Sequence, residues 1–339
     1  RGQVREAYLP RARHQDVFIG HGLLMFALAA FAAKWRGWPP RRAVTLGVVV
    51  GAFATLPDID VVYAPIAIDG GRFLGGGSVR PDAFWAAANS VHRSMTHSLV
   101  VAAIAGPALG AWSSGTERRI PRGLALAALV SLVAVAVAVS GALGGIVMGA
   151  FVGGGLAAAS ACRRWTDLSP GLVGLAATAG LASHPWGDLL TGQPPQLFYP
   201  FDTGALSARL VLHSDPTLHL LGAFAIELAT IWLAAIAVVR VTDRSWRVFS
   251  GSSALPGVAY SAAPLVLVPP TLAVSFHFVF SIIGVGIVCA GVAWYRSDPT
   301  PPAAATDGGA DRSGFDFAAV GLTGTTVALA GYTLVYVVT

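Results

Sequence analysis

Charge is what this 339-residue chain has least of: charged residues make up 12% of it, against roughly 25% in an ordinary soluble protein. So few charges cannot cover a water-exposed surface, which excludes a conventional soluble domain. Cysteine is scarcer still, with only Cys162 and Cys289, far apart and each near the end of an apolar run. A disulfide framework and a cysteine-based zinc site are both excluded, and each residue reads as a small packing group. No internal period of 20–50 residues is present, which excludes a solenoid. The glycine-rich "DGGRFLGGG" lacks the lysine and hydroxyl of a phosphate-binding loop, so it reads as an external loop and possible lid.

Hydrophobic residues make up 55% of the chain. They gather in runs near the ~20 residues that cross a bilayer. The hydropathy places spans at about 17–33, 43–57, 95–112, 123–139, 142–161, 170–187, 216–239, 256–270, 271–295 and 317–338. Pro269-Pro270 either separates two short spans or kinks one long one, so the count is nine or ten. The expectation is an all-α, polytopic transmembrane helical bundle. Its parts are a polar basic tail at 1–16, a core at 17–205, additional helices at 206–297, a flexible linker at 298–314 and a last helix at 315–339. The chain begins with Arg1 and not methionine, and the natural N-terminus is expected upstream.

The formal charge of +5 comes from basic residues scattered among short loops. That pattern gives no stripe for nucleic acid and instead carries topology information. In a ten-span arrangement fourteen of the 22 Lys and Arg fall on one side, from Lys34 to Arg312. The positive-inside rule makes that side cytoplasmic.

Ionisable residues collect at the other side. His21 opens the first span, and "LPDID" puts Asp58 and Asp60 at the end of the second. "HRSMTHS" puts His92, Arg93 and His97 at the start of the third, and "SHPWGDLLT" puts His184 and Asp188 at the end of the sixth. Taken singly, each reads as a polar helix end. Taken together, four histidines and three carboxylates on one face suit a divalent ion, zinc first and manganese second, with enough ligands for one or two ions. His184 and Asp188 share a helical face if the helix continues past Pro185. The five-residue step from His92 to His97 requires His92 in the preceding loop, with Ser94 or Thr96 as the helix cap. Asp58 and Asp60 converge on a turn favoured by Pro57, as ligands or as orienting groups for the histidines.

The order His21, "LPDID", "HRSMTHS", "SHPWGD", then "LFYPF" at 197–201, resembles the membrane-bound metal-dependent hydrolases of bacteria and archaea, also described as LexA-binding inner-membrane hydrolases. The resemblance covers about residues 17–205. It implies an inner-membrane protein with a metal centre formed by His92, His97, His184, Asp188 and the Asp58/Asp60 pair. The "GRFLGGGSVRPDAFW" insert and the long C-terminal half depart from the family pattern.

These residues suggest hydrolysis by an activated water. Asp58 or Asp60 would be the acid or base, and Arg93 either an anion clamp or a snorkelling cation. A site at helix ends would lie near the headgroups on the extracytoplasmic face. Phe84, Trp85 and "LFYPF" would frame an entrance for a lipid-like phosphoester among membrane lipids. The alternative is a transporter or proton conductor using Glu227 and His277, each deep in an apolar run. His213 and His219 flank a helix start and stay outside the core site.

Overall fold

A computed structural model describes residues 20–63, 93–189, 194–201, 208, 210–249, 252–271, 275–296 and 313–339. The described residues form helices α1 (Gly20–Trp35), α2 (Pro40–Thr55), α3 (Leu99–Trp112), α4 (Arg119–Trp165), α5 (Pro170–Asp188), α6 (Pro216–Val241), α7 (Pro256–Ala259), α8 (Phe276–Tyr295) and α9 (Gly314–Val338). Tight 3-10 turns at Leu56–Tyr63 and Met95–His97 extend α2 and precede α3.

The helix starts are written in the sequence. Ser169 accepts the Leu172 N–H ahead of Pro170, and Asp215 accepts the Leu218 N–H at 2.8 Å ahead of Pro216. Each pairs a side-chain cap with a proline, whose missing N–H costs nothing in a first turn. Ser313 and Asp316 close a capping box on α9.

Five runs among the described residues are long and apolar enough to cross a membrane: Pro40–Asp60, Arg119–Trp165, Pro216–Val241, Phe276–Tyr295 and Gly314–Val338. The expected count of nine or ten is not supported. α1 and α3 have 16 and 14 residues, so each extends about 21–24 Å against a hydrocarbon layer of about 30 Å. α5 is 19 residues long but ends in the polar His-Pro-Trp-Gly-Asp. The expected span at 256–270 is the four-residue α7 followed by a 3-10 turn, Tyr260–Leu265. Proline at 256, 264, 269 and 270 prevents a longer helix there.

α4 is not straight. Gly141 has φ 71° and ψ −166°, outside helical geometry and accessible mainly to glycine. Trp112 shows how far the chain turns there. Its ring lies 4.1 Å from the Arg122 guanidinium, and its indole N–H donates to Ser160 Oγ at 3.0 Å. On a straight helix residues 122 and 160 would lie about 57 Å apart. The chain therefore reverses at Gly141 into limbs 119–140 and 142–165, the same division that the hydropathy gave.

Two bundles result. In the first, α1 packs on α2, α2 on α5, and α3 on both α5 and α4. Small residues bring these backbones together. A Cβ at Gly180 would lie 2.7 Å from the Val50 carbonyl and 2.8 Å from Ala54 N, and one at Gly110 would lie 2.5 Å from Gly174 Cα. Membrane helices associate closely through such contacts. The second bundle, α6 to α9, has a core of Leu220, Leu221, Leu228, Phe278, Ile282, Leu329 and Tyr332.

α6 joins the two by running alongside α1 in the same direction. Ala27 packs with Ala234 and Ala237, and Val241 packs with Ala30 and Ala33. Gly20 lies directly against Glu227. The level at which α1 begins is thus the middle of α6, which continues about 16 Å beyond it to Pro216.

Candidate metal centre

α1, α2, α3 and α5 all have an end at this level, and their polar residues meet there. His97 Nε2 lies 3.0 Å from His184 Nε2, 3.1 Å from Asp188 Oδ2 and 3.8 Å from Asp58 Oδ1. His184 Nε2 lies 3.3 Å from Asp58 Oδ1 and 3.7 Å from Asp188 Oδ2. His21 joins through Asp188, with Nε2 3.6 Å from Oδ1, and its ring meets the His184 ring edge-on at 4.5 Å.

Both ligand-type histidines are oriented from behind. His184 Nδ1 donates to the Ala54 carbonyl at 2.6 Å, leaving the Nε2 lone pair facing the cluster. That carbonyl is free for a local reason: in the 3-10 pattern its partner is the N–H three residues on, and residue 57 is proline. The glycine contact at Gly180 brings α5 near enough for the bond to form.

On His97, Nδ1 meets Thr96 Oγ1 at 3.0 Å and Asp60 Oδ2 at 3.6 Å. The Thr96 hydroxyl proton goes to Asp60 Oδ2 at 3.1 Å, so Thr96 oxygen accepts from His97 Nδ1–H. Asp60 also accepts the Arg93 backbone N–H at 3.3 Å. It is 1% exposed and acts as an orienting carboxylate.

His97 Nε2, His184 Nε2, Asp58 Oδ1 and Asp188 Oδ2 are all lone-pair atoms. A tetrahedral ion with bonds of about 2.0–2.1 Å holds its ligand atoms about 3.3 Å apart. The five separations given above, from 3.0 to 3.8 Å, bracket that value. His97 and His184 with one carboxylate oxygen, from Asp188 or Asp58, make a three-ligand set that could hold zinc with a fourth position open. The His21, His184 and Asp188 group could also hold an ion, but the one outward lone pair of His184 serves a single site. Access is one-sided: the His97, His184 and Asp188 side chains are at most 3% exposed, whereas Asp58 is 27% exposed.

The sequence residues are otherwise placed as follows. His92, Phe84 and Trp85 lie outside the described residues. Arg93 is buried, which removes the snorkelling role. Its Nη1 donates to the Asp188 carbonyl at 3.1 Å, and its Nη2 lies 3.5 Å from Asp188 Oδ1. It sits at φ 66°, a conformation held here by bonds at both its backbone and its side chain. Ser98, not Ser94 or Thr96, caps α3: its hydroxyl accepts Val100 N–H and donates to the Tyr199 carbonyl at 2.8 Å. Thr96 is occupied with Asp60, and His97 precedes the helix. "LFYPF" divides, with Leu197 and Tyr199 buried under the "HRSMTHS" loop and Phe201 exposed.

Sequence reasoning missed Ser98 and the Ala54 carbonyl as working groups and gave Thr96 the role of a cap instead of a partner to His97; a hydroxyl on each side of His97 and a proline three residues after Ala54 are the available signals. Nor did it show the level of the site relative to the neighbouring helices. The centre lies level with the middle of α6 because the helices that build it are shorter than α6. Of the residues in the transporter alternative, Glu227 packs on Gly20 of α1, and His277 is exposed in the first turn of α8 against Phe276. His219 lies buried outside the cluster, its Nδ1 accepting Leu212 N–H at 3.1 Å.

A family model described as YdjM inner membrane protein matches residues 16–254. No curated protein and no solved structure matches the chain.

Proposed function

The chain belongs to the YdjM inner membrane protein family, the LexA-regulated inner-membrane family that its motif order resembles, and from that premise we propose that it is a divalent-metal-dependent hydrolase. The observation that carries this reading is the spacing of the His97 and His184 nitrogens with the Asp188 oxygen, a three-ligand set that leaves a fourth position open for water. Their nitrogen and oxygen mixture suits zinc best and manganese second.

A bound ion supplies Lewis acidity and lowers the pKa of water from about 16 towards 7. The chain does the rest. Asp60 and Thr96 fix the His97 tautomer, Ala54 fixes that of His184, and Arg93 with His21 holds Asp188 in place. Asp58, the exposed member, faces the side from which water and substrate arrive, and it takes the proton from the attacking water.

The substrate class is an amphiphile, first a lipid-like phosphoester. It enters from the lipid phase and has its reactive group drawn below the interface to the level of mid-α6. The site belongs to the extracytoplasmic half, because the loops at the other end carry Lys34, Arg36, Arg41, Arg42, Arg118 and Arg119.

Purified wild type should carry close to one zinc or manganese per chain by elemental analysis, and His97→Ala should carry less than a tenth of that. Equal metal in both ends the metal reading. Full metal occupancy in wild type without turnover of a fluorogenic phospholipid analogue ends the phosphoester reading.

A further inference from the structure

At the end of the first bundle away from the metal centre, α3, α5 and the start of α4 enclose a groove of about 500 Å³. Its existence follows from composition. Pro107, Gly110, Pro121, Pro170, Gly171 and Gly174 line it, so two apolar helices come into backbone contact without long side chains to fill the space beside them. The walls are largely apolar, and the two hydroxyls among them are satisfied by backbone, Thr178 donating to the Gly174 carbonyl at 2.9 Å and Ser114 to the Ala111 carbonyl at 2.6 Å.

One cation lines it. Arg118, exposed at the rim, makes no side-chain hydrogen bond or ion pair among the described residues. It is also the residue from which α4 starts, so the positive end of that helix dipole points to the same place. The neighbouring carboxylate, Glu117, is turned against Gly115 and does not line the groove. Arg122 is already engaged, donating to the Ser114 carbonyl at 3.2 Å and lying over Trp112.

We propose that this groove seats an anionic phospholipid, with an acyl chain lying between α3 and α5 and the headgroup phosphate on Arg118. An apolar slot that runs into the bilayer takes what the bilayer supplies, a hydrocarbon chain. An unpaired guanidinium at its rim selects a chain that carries a negative head, because a buried-edge pair of opposite charges is screened less than one in water. The site is distinct from the metal centre and does not depend on the hydrolase reading.

The test is photo-crosslinking of the full chain in nanodiscs with phosphatidylglycerol bearing a diazirine on one acyl chain. Label is expected in peptides spanning 107–121 and 170–178, displaced several-fold better by unlabelled phosphatidylglycerol than by phosphatidylcholine. Arg118→Ala should erase that preference. Gly171→Leu should remove the label altogether. A Cβ at Gly171 meets nothing within 4 Å, so this change fills the groove without disturbing the helix contact. Leu175→Trp, at a position 65% exposed, is the second blocking variant should the first fail to fold. Undiminished labelling in a folded blocking variant overturns the proposal, as does equal displacement by both lipids in wild type.

Discussion

Both bundles bring backbones together at glycine, but the second adds a cluster of aromatic rings. In the first, backbones touch at Gly180 against Val50 and Ala54 and at Gly110 against Gly174. In the second, rings dominate: Phe278 meets Tyr332 edge-on at 5.1 Å, and Tyr260 and Phe224 lie within about 6 Å of the same cluster. A ring cluster tolerates small shifts, since large side chains can readjust around one another. A bond such as His184 Nδ1 to the Ala54 carbonyl, at 2.6 Å, cannot. Glycine contacts occur in both bundles, since a Cβ at Gly286 would lie 3.0 Å from the Gly321 carbonyl; in the first bundle the close helix separation also sets the position of a polar atom.

The contrast can be broken in order of effect. His184→Ala removes a ligand-type nitrogen and the bond to α2 together; metal content should fall more than a hundredfold while the second bundle keeps its protease resistance. Asp60→Asn leaves every lone-pair atom in place but weakens the hold on His97. Such orienting partners are typically worth 10–100-fold in affinity, so a metal titration should show a loss in that range. Gly180→Ala should cost about 1–3 kcal/mol by overpacking and lower metal affinity with it. Gly291→Ala, whose Cβ meets nothing within 4 Å, should change neither.

On the aromatic side the expected sign reverses. Tyr332 is 1% exposed and its hydroxyl is buried without a hydrogen-bond partner among the described residues. Tyr332→Phe should therefore raise thermal stability by up to about 1–3 kcal/mol, with no change in bound metal. The smallest effect belongs to Asp215, whose carboxylate is held below its ordinary pKa by the Leu218 N–H. A depressed pKa contributes stability that is present above the unfolded value of about 3.9 and lost as pH falls through the folded one. Wild type should lose a small stability increment on acidification that Asp215→Asn does not lose; identical acid profiles in the two would remove the cap from the account.

Much of the site was legible because ionisable residues are costly in apolar runs, and their places at the ends of those runs fixed which helix ends meet. His21, Asp58, Asp60, His97, His184 and Asp188 were all named on that ground. The reversal at Gly141 was legible from the break in hydropathy. The division of labour between Asp58 and Asp60 was not, because it depends on a 3-10 turn that points one carboxylate at each face of His97. The depth of the centre was equally hidden. Hydropathy marks where an apolar run stops, but only packing of α1 on α6 shows that a run can stop in the middle of a neighbour.

That depth has an electrostatic consequence. Asp58, Asp60 and Asp188 bring three negative charges to the cluster and Arg93 brings one positive, leaving a net charge of minus two in surroundings where opposite charges 4 Å apart attract by about 4 kcal/mol instead of the 1 kcal/mol of bulk water. One divalent cation makes the assembly neutral. A second would leave it as far from neutrality as before, with the opposite sign, so under the proposed metal reading the ionic balance of the four side chains favours one ion over two.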